Sequence, residues 1–345
     1  MTDDKLAQLA AAIDEDPFDL RAYAVLGDYL QELGDPRGDL IALQLGERTA
    51  ASELAAAEII AKLGHPPGVQ FHYANGYARS ATIDPGTAKG TKDALEHPSG
   101  RFLVELRVLH NNAPLTGTIN AIAAALRPTL RVVHLGLRVV GALYQAEERE
   151  LGDMSALWTA VPRLEEIELL GSRASFGAID APCLRSFAWS TSALTAEAAT
   201  SLAKARVPAL QRVTLSCSMV NRTPELEAMR ALGPLLARDD LPALTHLRLE
   251  DLTGADTLIE ILATSPLLQR LTSFELVRSD LTDAGARTIL STHAAFAHLA
   301  ELTVHFHNVT DDLVAELREL LPAAGITSLD GDEPDDEEHY DDVDE

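Results

Sequence analysis

A short segment rich in glycine and lysine is the part of the sequence that most resembles a nucleotide-binding motif. Residues 86–92 read GTAKGTK, which combines the residue types of a phosphate-binding loop. Such a loop ends in Gly-Lys followed by Ser or Thr, because the lysine reaches the phosphates and the hydroxyl binds Mg²⁺. Here the order is Gly-Thr-Lys. We therefore expect a connecting segment that does not bind a nucleotide.

Serine and cysteine provide the candidate nucleophiles. Ser175 is followed by Gly177, but Arg173 stands where the Gly-x-Ser-x-Gly motif of a hydrolase needs its first glycine. The two cysteines, Cys183 and Cys217, fall at different places in the sequence repeat described below. A disulfide needs Cα atoms within about 7 Å of each other. We expect two free thiols and no catalytic nucleophile.

Two histidines, His305 and His307, share one face of an expected strand because they are two residues apart. A zinc ion needs three or four converging ligands. The preceding copy of the repeat has Val277 and Ser279 at the equivalent positions, which are poor ligands. Asp332 would lie beside His305 only if the last repeat is regular. We expect surface histidines, and we predict a protein that is not an enzyme and uses no metal or cofactor.

The charge balance excludes several classes of partner. The chain of 345 residues has a formal net charge of −25, and residues 330–345 read DGDEPDDEEHYDDVDE, without Lys or Arg. We expect this acidic tail to be disordered, since it has few apolar residues to bury. Nucleic acids and anionic membranes bind through Lys and Arg. We therefore expect neither as a partner.

Nothing in the sequence indicates export or membrane insertion. The first residues, MTDDKLAQLAAAIDED, lack the basic and apolar regions of a signal peptide. No apolar run reaches the roughly 18 residues of a membrane-spanning helix. The chain has 2 cysteines, too few for a secreted disulfide scaffold. We expect a cytoplasmic protein.

Residues 1–64 have the apolar spacing of helices. Residues 4–13 and 19–33 each predict a helix, and a third begins near Asp39 and continues, alone or with a partner helix, to Gly64. In the second helix the apolar residues recur at steps of three and four and form one stripe. They are Leu20, Tyr23, Leu26, Leu30 and Leu33. The GDPRG sequence at 34–38 then predicts a helix stop and a restart.

Beyond residue 65 the dominant pattern is Leu-x-x-Leu-x-Leu, repeated eight times with substitutions. The copies begin at Leu103, Leu130, Leu164, Leu184, Leu210, Leu244, Leu271 and Leu299, at steps of 27, 34, 20, 26, 34, 27 and 28 residues. Degenerate copies begin at Ala78 and Ile326. Threonine followed by acidic residues marks helix starts between copies, at Thr195, Thr282 and Thr310. The steps of 34 and 20 indicate irregular loops or a misassigned copy.

These copies resemble the leucine-rich repeat family in its ribonuclease-inhibitor-like form, over roughly residues 76–329. The resemblance implies an α/β solenoid, with parallel strands on a concave face and helices on the convex face. One strand–helix unit cannot bury its apolar face alone, so stacked units must bury it against each other. The chain departs from the family at the asparagine position after each strand, which only Asn111 fills.

The segment DYLQELGDPRGDLIALQL, at 28–45, resembles the repeat-companion domain found at the N-termini of bacterial leucine-rich repeat proteins. The shared features are an acidic residue followed by an aromatic, the GDPRG turn and the leucines after it. Asn-Gly-Tyr at 75–77 fits the usual entry to the repeats, whereas Gly27 and Tyr29 replace the family's Ala and Trp. The family implies no established activity. We predict a small all-α cap that covers the first repeat, and an independent docking module is the alternative.

Together these patterns divide the chain into four parts. They are a helical repeat-companion domain (1–64), a connector with a degenerate first repeat (65–98), the leucine-rich repeats (99–329) and a disordered acidic tail (330–345).

The residues between the inward leucines point to the other side of the expected sheet and form the candidate binding site. They are Arg107, His134, Glu168, Arg212, Arg248, Glu275 and His305. A surface with both charge signs suits recognition of a protein by charge complementarity. By analogy of fold, we predict a non-enzymatic scaffold for a protein partner of unknown identity. The alternative is a regulator of an enzyme, either a hydrolase inhibitor or a GTPase-activating protein of the leucine-rich repeat type.

Overall fold

The computed structural model describes residues 2–109, 114–137, 150–192, 194–217, 232–306, 308–321 and 325–328. The acidic tail (330–345), Asn111 and His307 lie outside these described residues. Within them, no helix is both long and apolar enough to cross a lipid bilayer.

Helices occupy the start of the chain, where the apolar spacing predicts them. They are α1 (Thr2–Glu15), α2 (Leu20–Glu32), α3 (Pro36–Leu45) and α4 (Ala50–Leu63). Short polar side chains define their first turns. Asp19 accepts a hydrogen bond from the backbone N–H of Arg21 at 2.9 Å, and Thr49 and Ser52 form a reciprocal capping box on α4.

The rest of the chain alternates strands with helices. The strands are β1 (Val69–Ala74), β2 (Tyr77–Ile83), β3 (Glu105–Leu109), β4 (Val132–Leu137), β5 (Glu150–Asp153), β6 (Glu166–Leu170), β7 (Ser172–Ser175), β8 (Ser186–Thr191), β9 (Arg212–Cys217), β10 (His246–Glu250), β11 (Ser273–Val277), β12 (Glu301–Phe306) and β13 (Gly325–Ser328). The helices are α5 (Ala88–Glu96), α6 (Thr116–Ala125), α7 (Ser155–Ala160), α8 (Ala196–Ala203), α9 (Ala255–Ala263), α10 (Asp283–Ser291), α11 (His293–Phe296) and α12 (Asp311–Leu320), and residues 232–236 are also helical.

Eleven strands form one sheet in the order β1-β2-β3-β4-β6-β8-β9-β10-β11-β12-β13, and β5 pairs with β7 separately. Only the β1–β2 pairing in the large sheet is antiparallel. The fold is therefore mixed α/β with a mostly parallel sheet, as the sequence predicts at this level.

The strand register confirms that each of the eight predicted copies forms a strand. The second apolar position of the repeat makes one continuous row of cross-strand partners. This row is Leu106, Val133, Ile167, Phe187, Val213, Leu247, Phe274 and Leu302. The degenerate copy at Ala78 joins the row, since Ala81 pairs with Leu106. The irregular steps therefore come from connections of different length and not from a misassigned copy.

The shortest connection replaces its helix with a strand. Between β6 and β8, residues 171–185 contain β7 and no helix. β7 runs parallel to β5 and pairs with it, with Glu150 opposite Ser172. In this short repeat of 20 residues, an extended segment covers the buried side of the sheet. The longer repeats have a helix at the same place.

One core lies between the sheet and the helices. Alternate strand residues enter it: in β9, Val213 and Leu215 are buried whereas Arg212 and Thr214 remain accessible. The helices contribute buried apolar residues from the other side, including Ile119, Leu202, Leu258, Ile289 and Leu317. The sheet thus has one covered face and one open face, which is the expected result of its two-residue period.

The last strand differs from its predicted register. β13 pairs Ile326 with Val304, which occupies the third apolar position of its repeat. The sequence pattern placed Ile326 at the first position, equivalent to Leu299, and that prediction is wrong. The physical reason is a short connection, because α12 ends at Leu320 and β13 already begins at Gly325.

The helical unit α1–α4 packs on the amino-terminal side of the first strands. Its small core consists of Ile13, Tyr23, Leu26, Leu30 and Ile41, together with Tyr77 of β2 and Phe102 before β3. Arg101 bonds both carboxylate oxygens of Asp14 at 2.7 and 2.5 Å, and Arg163 donates to the backbone carbonyl of Asp14 at 3.2 Å. The edge of β2 is paired with β1. A strand and the helices therefore share the covering role that the sequence assigned to helices alone.

The GDPRG turn contains an ion pair that joins α3 to the sheet. Asp35 caps α3 by accepting from the backbone N–H of Arg37 at 2.9 Å, and it also accepts from the Arg37 Nε at 2.9 Å. The Arg37 guanidinium lies 5.3 Å from the centroid of the Tyr77 ring and donates to the carbonyl of Pro98 at 3.4 Å. The turn thereby connects α3 to β2 and to the segment before β3.

Acid should remove the contribution of this ion pair. The hydrogen bond from Arg37 lowers the pKa of Asp35 below its ordinary value. A lowered pKa in the folded state stabilises the fold above the ordinary carboxyl pKa of about 4, and the contribution is lost as the pH falls through the folded-state pKa. We expect Asp35→Asn to be less stable than wild type at neutral pH and equally stable at low pH. Urea unfolding across pH measures this.

Asparagine is also a good N-cap, so Asp35→Asn tests the charge rather than the cap. A stability difference that does not change with pH would contradict the assignment.

Aspartates of one unit cap the helix of the next unit. Asp256 in α9 accepts from the backbone N–H groups of Thr282 at 2.9 Å and Gly285 at 3.0 Å, at the start of α10. One unit later, Asp283 accepts from the backbone N–H of Thr310 at 2.8 Å. Each carboxylate satisfies amides that a helix leaves unpaired and lies at the positive end of its dipole. Asp256 and Asp283 therefore connect neighbouring units.

Asp256→Ala is expected to lower the free energy of unfolding by about 2 kcal/mol, because backbone amides and the Thr282 hydroxyl lose a charged acceptor. Asp312→Ala is the matched control. Asp312 also lies in the first turn of a helix, but it is exposed and its side chain makes no hydrogen bond with another described residue. Urea unfolding followed by circular dichroism compares them, and equal losses would argue against capping between units.

Candidate functional site

The open face is the side of the sheet that the helices leave uncovered. Its residues form rows, because neighbouring strands pair in register about 4.8 Å apart. The middle row consists of Thr82, Arg107, His134, Glu168, Ala188, Thr214, Arg248, Glu275 and Thr303. Every member is partly or fully accessible to solvent.

All seven residues that the sequence singles out lie on the open face. Arg107, His134, Glu168, Arg248 and Glu275 belong to the middle row. Arg212 lies in the preceding row, between Ser186 and His246, and His305 lies in the following row, opposite Thr327. The structure does not gather the seven into one pocket. Five of them belong to two charged clusters on either side of a neutral centre, whereas Arg212 lies beside Ser186 of that centre and His305 lies on β12, outside both clusters.

The first charged cluster is formed by Glu105, Arg107, His134, Glu166 and Glu168. The Arg107 guanidinium bonds Glu105 on the same strand. His134 lies between the other two carboxylates, with Nε2 3.2 Å from Glu166 and Nδ1 3.5 Å from Glu168. Both glutamates remain about half exposed, at 48% and 47%. The cluster therefore presents carboxylates toward solvent.

The neutral centre consists of small side chains on β8 and β9. They are Ser186, Ala188, Ser190, Thr214 and Ser216. The outward residues of β8 are uncharged and alternate with the buried Phe187 and Trp189. The centre is therefore lower than the charged clusters beside it.

The second charged cluster is formed by Arg248, Glu250, Asp251, Glu275 and Arg278. Glu250 is mostly buried and accepts from Arg248 Nε at 3.3 Å and from Arg278. Arg248 also bonds Glu275, and Arg278 donates to both oxygens of Asp251 at 2.8 and 3.0 Å. The hydrogen bonds to Asp251 raise the pKa of Arg278. These side chains are held in position before any partner arrives.

Asp251 and Arg278 are site residues that the sequence analysis missed. They directly follow β10 and β11, with φ of 55° and 49°. This left-handed conformation is uncommon outside glycine, so it breaks the two-residue alternation on which the prediction relied. A signal was present, because residues of opposite charge occupy the same place in two consecutive copies.

Thr87 and Ser175, from the other motifs considered for chemistry, make hydrogen bonds within the protein. In the GTAKGTK segment, Thr87 caps α5 by accepting from a backbone N–H. Ser175 donates to the carboxylate of Glu197 at 2.8 Å. Cys183 and Cys217 are free thiols. Among the residues that the structure describes, no group of His, Cys, Asp and Glu is placed to hold a metal ion.

A second accessible surface lies on α4, which is largely apolar. Ala56 is the buried residue of this helix, and Leu54 is 64% exposed. Ile59 and Ile60 are half-buried. This surface belongs to the helical unit and is separate from the open face of the sheet.

Comparison with known proteins supports the fold and no function. No protein-family model matches the sequence, and no curated protein is significantly similar to it. Among solved structures, the chain is similar to the crystal structure of a protein from Bacteroides fragilis. The TM-score is 0.60 over 89% of this chain and 84% of that chain, and the identity is 17%. At this identity the likeness shows a shared fold alone.

Proposed function

We propose that the protein is a leucine-rich repeat solenoid that binds a protein partner through its open face and has no enzymatic activity of its own. The division of this face into two charged clusters around a neutral centre is the observation that carries the proposal. Charges arranged in this way select a complementary partner and orient it.

The dimensions of the face favour a protein over a small ligand. Nine strands contribute to the middle row. At the usual strand spacing this row is about 40 Å long. Small ligands bind in enclosed pockets, whereas stable protein interfaces cover about 800 Å² on each partner. A long, accessible and polar surface fits the second class.

Fixed side chains make the face suitable for binding without large rearrangement. Glu250 is only 15% exposed and anchors Arg248 and Arg278. A partner that meets these arginines does not need to order them, which reduces the entropic cost of binding. The proposal includes the cytoplasm as the location, because both cysteines are free thiols.

Affinity purification from the lysate of the native host tests the proposal. The baits are the wild-type chain and the Arg107→Glu/Arg212→Glu/Arg248→Glu variant, which reverses one charge in each cluster and the charge of Arg212 beside the neutral centre. The matched control is Lys92→Glu/Lys204→Glu/Arg318→Glu, with the same change in net charge on the helical side of the molecule. A partner retained by wild type and by the control, and lost by the face variant, is the expected result.

Equal recovery by both variants, when both are folded, would contradict binding through the open face. It would direct attention to the helical unit and its apolar helix α4. A hydrolase or a small GTPase among the specifically retained proteins would favour the alternative role of an enzyme regulator.

A further inference from the structure

The neutral centre of the open face is a shallow trough along β8. Its floor consists of Ser186, Ala188 and Ser190, which carry at most two heavy side-chain atoms each. β6 forms one bank, with Glu166 and Glu168 directly beside the floor. The other bank is β9, where Arg212 pairs with Ser186. The banks are about 10 Å apart, which is two strand spacings.

The two banks carry opposite charges that the protein itself leaves largely unneutralised. His134 is the only basic residue among the described residues whose side chain lies within ion-pair distance of Glu166 and Glu168. Arg212 is exposed and makes no ion pair with any described residue. This differs from Arg107, Arg248 and Arg278, each of which bonds a carboxylate of the protein. Arg212, beside the trough, therefore differs from these arginines because no carboxylate of the described residues neutralises it.

We infer that the trough is the site where the partner docks, and that its occupant is a protein segment with a basic side chain toward Glu166 and Glu168 and an acidic side chain toward Arg212. The inference rests on the proposed function and names the partner chemistry. Charge complementarity fixes the orientation of the segment, since reversing it places like charges together. Small neutral residues of the segment fit over the floor, where no long side chain stands in the way.

The paired arginines of the face are expected to contribute less to binding than Arg212. Arg248 and Glu275 already neutralise each other. A partner charge that approaches them gains little, because it competes with an existing ion pair. Arg212 has no such competitor among the described residues, so a carboxylate that reaches it forms a new pair.

Selection from a random peptide library displayed on phage tests this inference with the full chain as the target. Ala188→Trp fills the trough and serves as the counter-target. Thr82→Trp is the matched control, because Thr82 lies in the same row at the far end of the face. We expect peptides that bind wild type and Thr82→Trp, fail to bind Ala188→Trp, and share one basic and one acidic residue separated by neutral residues.

Charge reversal then tests the orientation. Arg212→Glu and Glu168→Lys are each expected to weaken the selected peptides by about 10-fold, or roughly 1.4 kcal/mol. The double variant Arg212→Glu/Glu168→Lys should bind peptides whose two charges are exchanged. That rescue would not occur if the substitutions acted through folding.

Three outcomes would overturn the inference. The first is that no peptide prefers wild type over Ala188→Trp. The second is that selected peptides are insensitive to Arg212→Glu and Glu168→Lys but are lost with Arg107→Glu and Arg248→Glu, in which case the open face still binds proteins and only the trough is wrong. The third is that bound peptides ignore every substitution on the face, which would refute the proposed function as well.

Discussion

Replacing Trp189 with alanine is expected to lower the free energy of unfolding by about 4 kcal/mol, because the substitution leaves a large cavity in a close-packed core. Trp189 is 1% exposed and lies in β8, at the centre of the sheet. Its ring packs edge-on against Phe176 at a centroid distance of 5.0 Å. Its indole N–H donates a hydrogen bond to the backbone carbonyl of Gly171 at 2.9 Å. The substitution to alanine leaves that carbonyl without this donor.

Trp189→Phe separates the two effects in this prediction. Phenylalanine keeps an aromatic ring against Phe176 but removes the hydrogen bond, so we expect a loss of about 1–2 kcal/mol. Urea unfolding monitored by circular dichroism measures both variants. Equal losses for alanine and phenylalanine would show that the hydrogen bond, and not the packing, determines the stability at β8.

The second large effect is expected at Gly38, where α2 and α3 cross. A Cβ atom there would lie 2.6 Å from the backbone nitrogen of Gln31 and 2.8 Å from the carbonyl oxygen of Gly27. These are backbone atoms, so they move only if the helices separate. We expect Gly38→Ala to lower the free energy of unfolding by about 3 kcal/mol through overpacking.

Gly233→Ala is the control for this substitution. Gly233 is also helical, but its nearest neighbour would be the flexible side-chain methyl of Ile261 at 3.2 Å. Alanine favours a helix over glycine by about 1 kcal/mol, so this change should be neutral or stabilising. Thermal unfolding of both variants measures the difference, and a neutral Gly38→Ala would contradict the close crossing of α2 and α3.

The strands were predictable because one rule governs each of them. Burial of every second residue forces apolar residues to positions such as Leu106 and Val108, and that spacing survives irregular connections. Ile326 shows where the rule stops. The spacing of copies does not determine the length of the final connection. Ile326 therefore pairs with Val304, at the third apolar position of the repeat, and not at the first position that the spacing predicts.

The hairpin before the first parallel strand was missed for a different reason. Asn75 and Gly76 both have positive φ, of 55° and 80°, and they join β1 to β2. Asn-Gly is the preferred pair for such a turn. From the sequence alone this pair indicates the entry to the repeats, and the strand before it, Val69–Ala74, is not predicted.

The composition of the open face followed from the sequence, but its organisation did not. Strand alternation placed Arg107 and Arg212 on the same side of the sheet. Which charges neutralise each other depends on side chains from different strands, such as Arg278 reaching Glu250 and Asp251. The contrast between the paired arginines and Arg212, on which the trough depends, therefore appears only in three dimensions.

Photo-crosslinking in the native host is the most direct test of the central claim, that the open face binds a protein. A benzoylphenylalanine at position 214, in the middle row of the face, is compared with one at position 124, on an exposed part of α6. A covalent adduct from position 214 and none from position 124 is the predicted result. An adduct from position 124 alone, or no adduct from position 214, would contradict the claim.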